Sequence, residues 1–151
     1  MLRPPRKLAL AIEAVIDIAY HGSANPVQSQ DIARRLGLPR RYLEQVMQQL
    51  VRAGILRGVR GPRGGYRLAR ERRRITLGEI VRVLQQNGEE EGTAIPHSQS
   101  ELGARIMAPL WGALAEEMME RLDSITIEEL CRRAEREGVK SEAEPQPDFS
   151  I

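Results

Sequence analysis

Cys131 is the only cysteine in the chain, so neither an intramolecular disulfide nor a cysteine-built metal cage can come from one copy. Aromatic residues make up only 3% of the 151 positions, too few for a surface that holds single strands by base stacking. Histidine is scarce too: His21 and His97 are the only two. No Ser-His-Asp, Cys-His or paired-carboxylate arrangement accompanies them, which argues against an enzyme. Long apolar runs are also missing. The apolar positions from Leu8 to Ile18 are broken by Glu13 and Asp17, far short of the roughly 18 residues of a membrane span, and nothing at the amino terminus reads as a signal peptide. A cytoplasmic protein with no membrane partner is expected.

Arginine is present in quantity, and unevenly. The formal net charge is only +2, yet residues 34–74 hold 13 arginines against Glu44 and Glu71, a local +11 that leaves −9 for the remainder. Such separation favours a polyanion meeting one face, although charge alone leaves a merely solvated basic face open.

The length allows one modest core, or one core plus an extended helical arm. Leu8, Ile12, Val15, Ile16 and Ala19 recur at helical spacing and predict an amphipathic first helix after Pro5, ended by His21-Gly22. Ser29 reads as the N-cap of a short second helix with Ile32, Ala33 and Leu36 on its apolar stripe, stopping at Gly37. Pro39 suits the first turn of a third helix, in which Leu43, Val46, Met47 and Leu50 face inward and which Gly54 closes. Two apolar arms then flank a loop of glycine and arginine, Gly54 to Leu68, where Gly61, Gly64 and Gly65 supply unusual backbone angles and Pro62 stiffens the approach.

Helix, three-residue turn, helix and hairpin is the winged helix-turn-helix order. Its third helix leaves Arg40, Arg41, Glu44, Gln45, Gln48 and Gln49 outward. These are groove-reading types: Arg pairs with guanine edges or phosphates, Gln with adenine, and Glu accepts from cytosine. The basic hairpin, free of acidic residues, suits a second groove. Its Gly61-Pro62-Arg63-Gly64-Gly65 is no phosphate loop, because the Lys-Ser/Thr and the following helix are absent.

Thr76-Leu77-Gly78-Glu79 is a capping-box pattern opening a fourth helix with Ile80, Val83 and Leu84. A polar, acidic linker follows over residues 87–100, in which His97 among Glu89, Glu90, Glu91 and Glu101 reads as solvated rather than metal-ligating. Leu102, Ile106, Leu110, Leu114, Met118 and Leu122 then repeat every four residues, joined by Trp111. That stripe is more than a small wing domain can cover, and the same helix of a second copy would bury it. At Pro109 the helix either kinks or begins its regular part. Thr126-Ile127-Glu128-Glu129 starts a terminal helix ending near Gly138. Cys131 within it reads as a small buried hydrophobe, or as a redox sensor if Arg132 and Arg133 favour its thiolate. The expected fold is mainly α, a winged helix-turn-helix with a two-stranded β wing and a long C-terminal dimerisation helix. Its expected parts are a DNA-binding domain at 1–86, a linker at 87–100, a helical dimerisation region at 101–138 and a disordered tail at 139–151.

Tyr42-Leu43-Glu44-Gln45, Leu50-Val51-Arg52-Ala53-Gly54, Val59-Arg60-Gly61-Pro62-Arg63-Gly64-Gly65-Tyr66-Arg67-Leu68-Ala69 and Ile75-Thr76-Leu77-Gly78-Glu79-Ile80-Val81 together resemble the IscR/NsrR/CymR/BadM family of bacterial winged-helix regulators, the Rrf2 family. The resemblance implies a homodimer on an imperfect inverted repeat in promoter DNA, usually a repressor, with the third helix in the major groove and the wing at the minor groove. It carries Tyr42, Glu44 and Gln45 onto the recognition helix, beside the Arg40, Arg41 and Gln48 already read from the helix face. It carries Arg60, Gly61, Arg63, Gly64 and Gly65 onto the wing. Many members have glycine where Arg63 stands, and the added cation should strengthen phosphate or minor-groove contact.

Iron–sulfur members of the family carry three cysteines in the linker and the start of the long helix. This linker has none, and the third would fall near Arg105. No cofactor is therefore expected, and the chain looks more like the cluster-free branch typified by the cysteine-metabolism regulator CymR. The terminal Asp148-Phe149-Ser150-Ile151 is similar to the isoleucine-ended tails with which serine acetyltransferase docks in cysteine synthase, making Ile151 a candidate docking residue for that enzyme. A winged-helix module that binds protein rather than an operator is the alternative function.

Overall fold

The computed structural model describes residues 3–86 and 99–143. Helices α1 (Arg6–His21), α2 (Ser29–Leu36) and α3 (Arg40–Arg52) are followed by the hairpin β1 (Leu56–Val59) and β2 (Gly65–Leu68). A 3-10 turn (Arg72–Arg74) leads into α4 (Leu77–Gln86). After the undescribed stretch come a π-helical turn (Gly103–Met107), α5 (Ala108–Asp123) and α6 (Ile127–Arg136). Among the described residues no helix is long and apolar enough to cross a membrane.

The spacing of apolar residues fixes how the first three helices pack. Val15 and Ile18 of α1, Ile32 of α2, and Leu43, Met47 and Leu50 of α3 meet in one core. Ile55 and Leu56 of the hairpin, Ile80 of α4 and Ile127 of α6 complete it. The hairpin is antiparallel, in the register Leu56↔Leu68, Arg57↔Arg67, Gly58↔Tyr66 and Val59↔Gly65.

A third extended residue joins the wing. Val27, in the α1–α2 loop, exchanges both backbone hydrogen bonds with Tyr66, at 3.0 and 2.8 Å. One residue has no periodicity, so nothing in the local sequence marked it. Both threonines cap their helices: the Thr76 and Thr126 hydroxyls accept from the Glu79 and Glu129 amides at 3.3 and 3.1 Å. The same two threonines face each other in a backbone bridge, with Leu77 N–H on Ile125 O at 3.0 Å and Ile127 N–H on Ile75 O at 2.9 Å. Arg82 grips Asp123 through two bonds of 2.7 and 2.6 Å, and Gly78 leaves that carboxylate room, since a Cβ there would lie 1.8 Å from Asp123 Oδ1.

Ser29 is not the α2 cap. Gln28 takes that place and Ser29 is the first helical residue, its side chain buried. Pro39 stands just outside α3 rather than in its first turn. Of the two alternatives at Pro109, the structure takes the second: regular α-helix begins at Ala108, and the π turn precedes it. Proline has no N–H to give the carbonyl four residues back, and a widened turn resolves that conflict without a break.

Along the π turn and α5, Leu102 (74% exposed), just before the turn, Ile106 within it, and Leu110, Trp111 (54%), Leu114 and Met118 (57%) of α5 face solvent, whereas Leu122 is half-buried at the end of α5, the helix that packs on α4. The beginning of the tail expected to be disordered is instead tied down. The Tyr20 hydroxyl donates to Val139 O, Ser141 Oγ to Tyr20 O at 2.8 Å, and Glu142 N–H to His21 Nδ1 at 2.9 Å. Arg34 and Arg35 both pair with the Glu142 carboxylate. The linker at 87–98, with His97, and the terminal Ile151 lie outside the described residues.

Candidate nucleic-acid interface

With Leu43, Val46, Met47 and Leu50 turned inward at helical intervals, α3 must present its other face outward. Arg40, Arg41, Gln45 and Gln48 are exposed there, and Tyr42 and Glu44 half-buried. On the wing, Arg60, Gly61 and Arg63 are exposed, with Gly64 and Gly65 half-buried. Gly61 has φ +114°, a left-handed angle that side chains resist, and its carbonyl accepts from Gly64 N–H at 2.9 Å to close the loop. Gly65 serves close approach: a Cβ there would lie 2.3 Å from Val27 O and block the Val27–Tyr66 bridge.

Helix α3 and the wing enclose a groove of about 620 Å³, lined by Gln28 and Ser29 at the start of α2, Arg40 and Glu44 of α3, and Arg60, Gly61, Gly64, Gly65 and Tyr66 of the wing. Arg41, Tyr42, Gln45 and Gln48 lie outside it. Arg63 lines a different cleft, about 580 Å³, with His21, Asn25, Asp31, Arg35 and Glu142.

Within the first groove Arg40 Nε donates to both Ser29 Oγ (3.1 Å) and Glu44 Oε1 (3.0 Å). Tyr66 stands close by. Burial, then the negative charge of Glu44, push its phenol pKa up, with Arg40 partly opposing, so it remains a neutral hydroxyl.

The basic stretch is divided between structure and surface. Arg35 holds the buried Asp17 of α1 through Nε and Nη2, both at 2.8 Å. Arg67 donates to Ser23 O at 3.2 Å and to Ala24 O, fastening the wing to the α1–α2 loop. Arg70 pairs with Glu79, and Arg73 with Glu71. Ser29, Arg35 and Arg67 are the structural participants that sequence reasoning missed, because each acts through a partner far along the chain.

Cys131 is buried on α6, and burial pushes its thiol pKa up, with Arg72 partly opposing. The neighbours expected to favour a thiolate do not dominate there; Arg132 pairs with Glu128 instead. Among the described residues no three His, Cys, Asp or Glu side chains gather as a metal site.

A match to the Rrf2 family, described as "Iron-dependent Transcriptional regulator", covers residues 5–133. Protein rrf2 of Nitratidesulfovibrio vulgaris is 33% identical over 125 residues, covering 80% of this chain and 81% of that protein. The HTH-type transcriptional regulator IscR of Xenorhabdus nematophila is 32% identical over 139 residues, 89% of this chain and 82% of the relative. Among solved structures, IscR of T. potens superposes with a TM-score of 0.73 at 34% identity, covering 93% of each chain. CymR, the global cysteine regulator of B. subtilis, superposes with a TM-score of 0.68 at 32% identity over 88% of this chain and 98% of that one. The iron that the family description carries does not fit here as a three-cysteine iron–sulfur group: the chain has one cysteine, and it is buried on α6.

Proposed function

The chain belongs to the Rrf2 family of DNA-binding transcriptional regulators, and on that premise we propose that it acts as a homodimeric repressor on an imperfect inverted repeat, without a cysteine-ligated cluster. The observation that carries the reading is the shared groove: Arg40 and Glu44 of α3 and Arg60 of the wing line one concave surface. A helix enters the major groove, and a cationic loop beside it reaches across the phosphate ridge toward the minor groove. Arg40, Arg41, Glu44, Gln45 and Gln48 supply base and phosphate contacts, while Tyr42 is half-buried beside them. Arg60 and Arg63 carry the charge of the wing.

Two copies joined through the apolar face of α5 present two such surfaces related by a two-fold axis, the symmetry of an inverted repeat. Leu110, Trp111, Leu114 and Met118 form that face, and Leu102 and Ile106 extend it back through the π turn. A dimer seated on promoter DNA blocks transcription by occupancy.

Light scattering on the eluting protein and gel-shift titration against genomic fragments test this together. The expected results are a dimer, tight binding to selected fragments, and affinity that falls steeply with salt. A monomer, or equal affinity for every fragment, overturns it. A protein-binding module in place of an operator binder would give the second result.

A further inference from the structure

We propose that Ser29, a buried residue of α2 outside the recognition helix, positions Arg40 to read a guanine in the operator half-site. The proposal rests on α3 entering the major groove, as above. Among the described residues, Asp17 and Ser29 are the buried polar ones, at 8% and 9% exposure. Arg35 accounts for Asp17. The partner of the Ser29 hydroxyl is Arg40 Nε, at 3.1 Å.

Nε carries one hydrogen, shared between Ser29 Oγ and Glu44 Oε1 at 3.1 and 3.0 Å. The two terminal nitrogens of Arg40 make no hydrogen bond to the described residues, and the side chain opens into the groove between α3 and the wing. A guanidinium fixed at Nε presents its terminal fork in one orientation. Guanine offers the matching pair of acceptors, O6 and N7, whereas adenine places a donor at the position of O6. Arg40 is also the first residue of α3, and the N-terminal residues of a recognition helix are those that reach base edges.

Ser29 is the deciding member of the clamp. The Arg40–Glu44 pair is an exposed i,i+4 contact, and such pairs hold geometry weakly in water. Ser29 is only 9% exposed at the start of α2, so its hydroxyl has less freedom than the exposed Glu44 carboxylate. Without it Arg40 is an arginine on a flexible stem, which meets a phosphate as readily as a base.

The test is selection from a randomised library of DNA duplexes by the full chain, by Arg40→Ala, by Ser29→Ala and by the double variant, with thermal melting of each. The parent is expected to enrich guanine at one half-site position. Arg40→Ala and Ser29→Ala should each flatten that position, by about tenfold or more in guanine preference, and leave the other positions and the melting temperature unchanged. The double variant should go no further than either single one. An unchanged preference in Ser29→Ala beside a flattened one in Arg40→Ala overturns the positioning role. Equal loss of affinity for all sequences in Arg40→Ala, with a shallower salt dependence, makes Arg40 a phosphate contact and overturns the guanine assignment. A parent that enriches nothing overturns the operator-binding premise itself.

Discussion

His21 accepts the Glu142 amide at Nδ1, so the ring must carry no proton there. Protonation would set one N–H against another. Burial is the largest cause holding its pKa below the usual 6.5 and the Arg35 charge the next; Asp17 and Glu142 pull upward, and Arg34 downward. Because the folded value lies below the unfolded one, the stability this contact contributes is complete above about pH 6.5 and is lost as pH falls through the folded value. Glu142 stays ionised across that window, since its hydrogen bonds to Arg34 and Arg35 lower its own pKa. The melting temperature should therefore drop between pH 7 and pH 5 in the parent and drop less in His21→Gln; equal profiles would exclude the role. On the wing, Arg60→Ala or Arg63→Ala should weaken binding to all duplexes alike and reduce the salt slope by about one, read from titrations at several ionic strengths. Neither His21 nor Ser29 announced its role in the sequence, because both depend on partners brought near only by folding.

The helices were the most legible elements. Leu43, Val46, Met47 and Leu50 repeat at the interval that puts them on one face, and all four are buried. Replacing Leu43 or Leu50 by Ala should cost about 2–5 kcal/mol, measurable by denaturant unfolding. The threonine caps were legible for the same reason: they act within one turn. The π turn was only half legible, since Pro109 signals a conflict but not its resolution. Residues four apart walk about 40° around a regular helix at each step, and the wider turn takes up part of that drift for Leu102 and Ile106. Pro109→Ala should let the turn close to a regular helix, rotate those two side chains and weaken self-association, as sedimentation equilibrium would show.

For the molecule as a whole, the charge asymmetry pointed to a polyanion-binding front, yet it overstated the number of arginines free to make one. Arg35 and Arg67 hold the fold together, and Arg70 is paired with Glu79. An acid partner contributed by a distant segment, such as Glu142 for Arg34 and Arg35, leaves no local trace. The exposed apolar side of α5 was readable from its period, and its last member turned inward because α4 packs there. Trp111→Glu should yield a folded monomer with little operator affinity, seen by light scattering and gel shift. Incubation with ferrous iron and sulfide should produce no visible-light absorption of a thiolate-bound cluster.

The Thr76–Thr126 bridge and the Arg82–Asp123 pair, with Gly78 beneath, lock the end of α5 to the start of α4. For a pair of copies gripping through α5, that joint acts as a ruler. The reach between the two reading heads is set by rigid parts rather than by a hinge, so an operator lengthened by about five base pairs turns its second half-site to the far side of the duplex, where only one head can engage.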